Sequence, residues 1–382
     1  MPRVDLTLNV EVERTPRVVQ LEGIFDVPEK KRMSVDFHFN VPIEEKPWQV
    51  GLVVGPSGAG KSSVARRLFG DDMIAGYDWH PTRSVVDSFG DLPIHDVTGA
   101  LSSVGFSSPP SWIKPFRVLS NGEQFRATMA RAIMDARPRV VIDEFTSVID
   151  RTVAKIGSNA IAKAVRARPG KQFVAVTCHD DVLDWLQPDW VLEPHVGLFT
   201  WRSLQRRPGV ALEIRRALPD SWRFFAAHHY LSSSLHKASR CFVALIDGNP
   251  AAFVAVLQQP HPTAQGLRRV HRVVVLPDYQ GLGLALRFME IVGGWARALG
   301  YRLLTHPAHP ALVRAKAKSP KWKMTKALGF SSKHSLPGLL KTVTTSHRRT
   351  AAFEYVGPPC ADIAEARRMW GDDTLNRTGR RS

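Results

Sequence analysis

Gly55-Pro56-Ser57-Gly58-Ala59-Gly60-Lys61-Ser62 decides the fold class of the first half of this 382-residue chain. The spacing is G-x-x-x-x-G-K-S. It follows an apolar run, Val50, Leu52, Val53 and Val54, that reads as a buried strand. A helical pattern begins at about Lys61. Strand, glycine loop and helix in that order form a phosphate cradle. Small residues let backbone N–H groups face the anion, and the helix N-terminus adds its positive end. Lys61 is placed to reach the β and γ phosphates, and the Ser62 hydroxyl to ligate Mg²⁺. Gly55, Ser57, Gly58, Gly60, Lys61, Ser62 and Ser63 are therefore the expected nucleotide contacts.

Further motifs follow in an ordered series. Val140-Val141-Ile142-Asp143-Glu144 is an apolar strand ending in two acids. Unpaired carboxylates are costly in a core, so they are expected at a site. Asp143 suits Mg²⁺, and Glu144 suits the attacking water. Phe173 to Thr177 is another apolar strand, running into Cys178 and His179. Leu119-Ser120-Asn121-Gly122-Glu123 resembles the LSGGQ signature loop of ABC-type ATPases. Ser147-Val148-Ile149-Asp150 resembles their D-loop, and His179 their switch histidine. The resemblance implies an α/β nucleotide-binding domain in which two copies sandwich two ATPs. Ser120 and Gly122 of one subunit would close over the nucleotide of the other, with Asp150 beside it. One set of motifs per chain then implies a homodimer, or a pairing with a similar protein.

The chain departs from the transporter pattern. Only 58 residues separate Lys61 from Leu119, and no glutamine between Asp71 and Arg117 fits a Q-loop. There is no run of about 18 apolar residues, so no membrane span is expected. Phe25 stands about where the family places a nucleotide-stacking aromatic, and ordinary core is the other reading.

Length predicts two domains. The expected division is 1–205 for the ATPase domain and 206–360 for a second, α+β domain. A basic, unstructured tail is expected from 361 to 382. Three scattered cysteines suggest a reducing compartment. The first 14 residues alternate like a strand and lack the apolar run of a signal peptide, so a cytoplasmic location is expected. Charge divides sharply. Residues 1–200 carry 23 Lys+Arg against 25 Asp+Glu, and residues 201–382 carry 29 against 10, a net of +19. The densest stretch runs from Arg314 to Lys326 and contains Lys316, Lys318, Lys321, Trp322 and Lys323. Such asymmetry points to a polyanion, with nucleic acid the first expectation. Solvated helix faces, or a site for an anionic cofactor, would give the same count.

In the second half, Cys241–Ile246, the Asp247-Gly248 turn and Ala251–Leu257 read as a hairpin. The strand Arg269–Leu276 leads through Gln280-Gly281-Leu282-Gly283-Leu284-Ala285 into a helix. This is a second phosphate cradle. It resembles the central [QR]-x-x-G-x-[GA] motif of the GNAT acyltransferases, and Ala327-Leu328-Gly329-Phe330 resembles their closing motif. The resemblance implies that Gln280, Gly281, Gly283 and Ala285 hold the pyrophosphate of acetyl-CoA or a related donor.

The family's usual acid, a Tyr five residues before the closing Phe, is Thr325 here, and its strand-borne Glu is missing. Other proton carriers are then needed. His228-His229-Tyr230, the stretch from Thr305, and Phe353-Glu354-Tyr355-Val356 are similar to Mom, a family of phage GNAT-fold enzymes that modify adenine in DNA. That resemblance marks His229 and Tyr230, with Ser319 and Tyr355 behind them. Packing between helix and sheet is the other reading of His228 and Tyr230.

Together these expectations describe ATP-gated transfer of an acyl-type group to nucleic acid, a DNA base first. Three alternatives stand beside it: an RNA modifier, a non-catalytic ATP-driven clamp, and an ATP-regulated acetyltransferase acting on a small molecule or protein.

Overall fold

The computed structural model describes residues 3–11, 13–25, 32–205, 208–229, 234–330 and 349–371. They form two compact units. One joins Met1–Asp78 to Thr128–Pro208, and the other joins Trp79–Ala127 to Gly209–Ser382. The units thus cross the sequential division expected at 205/206: a segment from within the motif series packs with the C-terminal half.

In the first unit, β1 (Arg3–Glu11) pairs antiparallel with β2 (Arg32–Asn40). The main sheet has six strands: β3 (Val50–Val54), β4 (Met73–Ile74), β5 (Arg139–Ile142), β6 (Gln172–Thr177), β7 (Trp190–Glu193) and β8 (Leu198–Trp201), in the order β4-β5-β6-β3-β7-β8. All but β8 are parallel. All five residues of β3 are buried, as a central parallel strand requires. The register pairs Val54 with Thr177 and Ile142 with Ala175. The carboxyl ends of β3, β5 and β6 therefore lie level, and the loops after them emerge together. That edge is where parallel α/β sheets bind ligands.

The second unit is built on a seven-stranded sheet: β9 (Glu213–Ala217), β10 (Arg240–Ile246), β11 (Asn249–Gln258), β12 (Leu267–Val275), β13 (Arg302–Thr305), β14 (Trp322–Phe330) and β15 (Arg349–Tyr355), in the order β14-β15-β13-β12-β11-β10-β9. Only the β12–β13 pair is parallel, and the helix Leu284–Ala298 makes the crossover between them. Asp247 and Gly248 turn the β10–β11 hairpin with positive φ of 50° and 78°, as the Asp-Gly pair predicts. The core lies between the sheet and the helices, with Phe242, Phe288, Trp295, Phe353 and Trp370 at its centre.

Trp370 ends the helix Ile363–Trp370, which corrects the expectation of an unstructured tail from 361. Asp362 caps this helix, its Oδ1 accepting from the amides of Ala364 and Glu365. No helix among the described residues is long and apolar enough to cross a membrane.

Candidate functional site

Two glycine loops that lead into helix N-termini stand where the sequence places phosphate cradles, one in each unit. In the first, Gly58 and Gly60 have φ of 77° and 72°. A Cβ on Gly60 would also fall inside the Phe37 ring, so the position requires glycine twice over. The helix Lys61–Phe69 starts immediately after, with no side chain capping its first amides. Those amides are free for an anion. Lys61 is buried, and its Nζ donates to the Pro56 carbonyl at 2.8 Å, folded along the loop it serves. Ser62 and Ser63 are half-buried beside it, and Ser57 is exposed on the loop.

Asp143 and Glu144 follow β5. The Glu144 amide donates to Asp143 Oδ1 at 2.9 Å, and the Ser147 hydroxyl donates to Glu144 Oε2. Glu144 has a φ of 51°, an uncommon strain for a non-glycine residue. His179 follows β6, half-buried, with its amide donating to Thr177 Oγ1. The loops after β5 and β6 are tied together, because Arg151 pairs with Asp181 and reaches the Thr146 carbonyl. Asp150 caps the helix Arg151–Arg166, accepting from the Thr152 amide at 2.7 Å. Those backbone bonds, the Thr152 amide first, hold its carboxyl below the usual range. Within the chain it serves as a helix cap. His195 packs against the start of the glycine loop: a Cβ on Gly55 would lie 2.8 Å from its Nδ1. Ser62 and Asp143 suit Mg²⁺, which takes few protein ligands and completes its shell with water and phosphate. Among the described residues no cluster of three or more His, Cys, Asp or Glu could hold a metal alone. Phe25, at the end of the helix Pro16–Phe25, is largely exposed.

The signature segment lies in the second unit. Ser120 opens the helix Asn121–Met134. Its amide and hydroxyl both donate to Glu123 Oε2, at 3.1 and 3.2 Å, and the Glu123 amide returns to Ser120 Oγ at 3.4 Å. This is a capping box. It engages the donors that a phosphate would use. Gly122 follows within the same first turn.

The second cradle is the loop Pro277–Gly283. Gly281 and Gly283 have φ of 100° and 77°, and the helix Leu284–Ala298 begins without a side-chain cap. The Gln280 side chain braces the loop. Its amide donates to the Val275 carbonyl at 3.0 Å, and its oxygen accepts the Ser107 amide at 2.8 Å. Gly281, Gly283 and Ala285 line a cavity of about 390 Å³. Five histidines line it too: His228, His229, His271, His306 and His309. Only the first two were singled out from sequence. The Trp222 ring stands edge-on to His229, with centroids 5.5 Å apart.

His271 lies on β12, the strand expected to supply a carboxylate base. Burial first, then Arg272, Arg269, His236 and His229, push it down to about 4. His306 and His309 are lowered as well, mainly by burial. These three are neutral at pH 7 and can accept a proton. Thr305, His309 and Lys316 are among the lining residues, and Thr305 Oγ1, His309 Nε2 and Lys316 Nζ are buried without a hydrogen-bond partner in the protein. Buried polar atoms left this way are costly, so a polar ligand group or water is expected there.

Other expected residues fall elsewhere. Tyr355 is in the core and away from the cavity wall, with its hydroxyl donating to the Pro358 carbonyl at 3.1 Å. Ser319 Oγ donates to buried Glu290 at 3.2 Å. Tyr230 lies outside the described residues. In the basic stretch, Lys316 is wholly buried, its Nζ 2.9 Å from the centroid of the Trp322 ring, which is itself buried. Neither can touch a polymer, so the expected patch reduces to its exposed members, Arg314, Lys318, Lys323 and Lys326.

Residues 181–315 match the model of the Acetyltransferase (GNAT) family, so the chain carries a GNAT domain there. No curated protein matches the chain by sequence. Among solved structures, the chain is similar to the ATP-binding cassette MJ0796 in a dimeric post-hydrolysis state with ADP and Pi. Identity is 15%, coverage 46% of this chain and 93% of that one, and TM-score 0.35. It is similar to cbiO1 from Clostridium perfringens, part of the ABC transporter complex cbiONQ, at 17% identity over 44% of this chain and 80% of that one, TM-score 0.35. A bacterial Atm1-family ABC exporter with ATP bound shares 17% identity over 43% of this chain, TM-score 0.33, and only 34% of the exporter's length is spanned.

Proposed function

We propose that this protein is an ABC-type ATPase that gates GNAT-type transfer of an acetyl or related acyl group to a nucleic acid, a DNA base first. The observation that carries the reading is the cavity of the second unit. It starts at the Gly281–Gly283 cradle, suited to a pyrophosphate, and continues to neutral histidines suited to an acceptor's proton. An acyl thioester bound at the cradle presents its carbonyl inside. An acceptor N–H attacks, a C–N bond forms, the C–S bond breaks, and the thiolate departs. His271 accepts the acceptor's proton, with His229 beside the path. Tyr230 keeps the place of proton donor to the thiolate.

Support for a nucleic acid is the net +19 of residues 201–382, with the looser likeness to the Mom family favouring a DNA base. ATP and Mg²⁺ belong to the first cradle, where Lys61, Ser62 and Asp143 hold them. Glu144 polarises the attacking water and His179 contacts the γ-phosphate. One motif set per chain makes the working form a homodimer closed by ATP, with Ser120 and Gly122 meeting the partner's nucleotide.

The test is mass spectrometry of nucleosides from DNA and RNA of cells expressing the protein. A new acylated deoxynucleoside, lost when His271 is changed to Gln, supports the reading. A modified ribonucleoside moves the target to RNA. Unmodified nucleic acid, beside acylated protein or small molecules, overturns it.

A further inference from the structure

We propose that Arg126 is a positioning residue that links the signature segment to the acyl-donor loop, exchanging partners when a nucleotide engages Ser120; this rests on the ATP-gated reading above. Arg126 is only 1% exposed. Its Nη2 donates to the Asp278 carbonyl at 3.2 Å, and its Nε has no partner. A buried guanidinium with so few acceptors is a poor stabiliser, because desolvation outweighs what one carbonyl returns. It is well suited to a choice between two acceptors. Burial pushes it down to about 10, and its two charged neighbours are Asp278 and Glu123.

Those neighbours connect the two loops. Asp278 lies in the turn Pro277–Tyr279, three residues before Gly281. Glu123 is on the helix Asn121–Met134 at i−3 from Arg126, so the two share a face. Ser120 is six residues before Arg126, about 9 Å along the helix axis. Today Glu123 Oε2 is engaged by the Ser120 amide and hydroxyl, while Oε1 accepts the Ser111 hydroxyl.

A phosphate bound at Ser120 needs the same two donors and repels the carboxylate beside them. Glu123 then turns away from the helix start, and the buried cation one turn along its own helix face is Arg126. Drawn to Glu123, the guanidinium releases the Asp278 carbonyl. The Pro277–Gly283 loop keeps the Gln280 braces to the Ser107 amide and the Val275 carbonyl but loses its tie to the helix Asn121–Met134, and its amides open more readily. ATP closure thereby loosens the cradle that holds the acyl donor, which suits exchange of spent donor once per ATPase cycle.

Hydrogen exchange on the full-length protein tests this, with and without Mg²⁺ and a non-hydrolysable ATP analogue, after nucleotide binding is verified with a fluorescent analogue. The expected result is exchange about threefold or more faster across residues 279–283 when nucleotide is bound. Arg126→Met should abolish that response. Glu123→Gln, which keeps the cap but loses the charge, should abolish it too and covers the case in which Arg126→Met fails to fold. Unchanged exchange in the nucleotide-bound protein overturns the proposal, as does a full response in either folded variant. Failure to bind nucleotide overturns it together with the ATP-gated reading. The exchange readout needs no transfer product, so a protein that responds but modifies no nucleic acid would sink the acyl-transfer reading and leave this link standing.

Discussion

Gly105 and Gln280 are in direct backbone contact: a Cβ on Gly105 would stand 2.6 Å from the Gln280 carbonyl oxygen, and Gly105 has a φ of 83°. They are 175 residues apart in a 382-residue chain. The segment from Trp79 to Ala127 is therefore part of the second unit's packing. Gly105→Ala meets both a left-handed backbone and a fixed carbonyl. It should cost about 1–3 kcal/mol, read as a lower midpoint in urea. A variant as stable as the parent would show that this contact is not held in solution.

Glu144→Gln should retain nucleotide and lose turnover. The change keeps shape and leaves Asp143 and Ser62 in place, while removing the carboxylate proposed to polarise water. A loss of about a hundredfold or more in hydrolysis is expected. Light scattering with ATP should then report a trapped dimer. Unchanged hydrolysis would remove Glu144 from the mechanism.

The shape of both glycine loops was legible because each is a spacing rule with a local cause. Gly58, Gly60, Gly281 and Gly283 all have positive φ, and glycine at those spacings says so in advance. The level ends of β3, β5 and β6 follow from three apolar runs that each stop at a polar motif. What depends on tertiary partners was not legible. A lysine count cannot tell that Lys316 faces Trp322 while Lys318 faces solvent. His271, His306 and His309 sit on a strand and the loop after another, and only the β12–β13 pairing brings them to one cavity. The helix Ile363–Trp370 did carry a signal, the Asp362 cap ahead of Ala366, Met369 and Trp370, but its polar composition hid it.

Lys316→Met should raise stability. Burial drives the amine well below its ordinary value, against the pull of Glu290. The unfolded chain then binds a proton that the native state resists, so stability rises with pH up to the unfolded pKa of about 10.4. Methionine removes that cost and keeps the volume. The gain in Tm should be larger at pH 7 than at pH 10. A gain independent of pH, or a loss of stability, would show that the ammonium is held charged over Trp322.

The second unit should bind nucleic acid with a steep salt dependence. Each phosphate neutralised on duplex DNA adds about −0.9 to the log–log slope. Lys318, Lys323 and Lys326 changed together to Ala should flatten it by up to about 3 in the full-length protein. Lys316 is omitted because it is buried. An unchanged slope would move the binding face elsewhere, and no binding at about 50 mM salt would count against any polyanion.

His271→Gln should lower acyl transfer by about a hundredfold or more, the usual loss when a general base is removed. ATP hydrolysis in the first unit should stay near that of the parent. The pH profile separates a base from a packing residue. Because burial and the neighbouring Arg272 and Arg269 hold His271 down to about 4, it stays a free base as pH falls from 7 to 5. Transfer by the parent should therefore show no loss through its ordinary value of about 6.5. The same shift predicts that stability falls as pH drops from about 6.5 toward 4, since the unfolded chain takes the proton first. His271→Gln should flatten that fall as well. A transfer rate that drops with an apparent pKa near 6.5 would point to another histidine of the cavity, with His229 next to be changed. Transfer lost only in step with Tm would make His271 a packing residue and leave the cavity without its base.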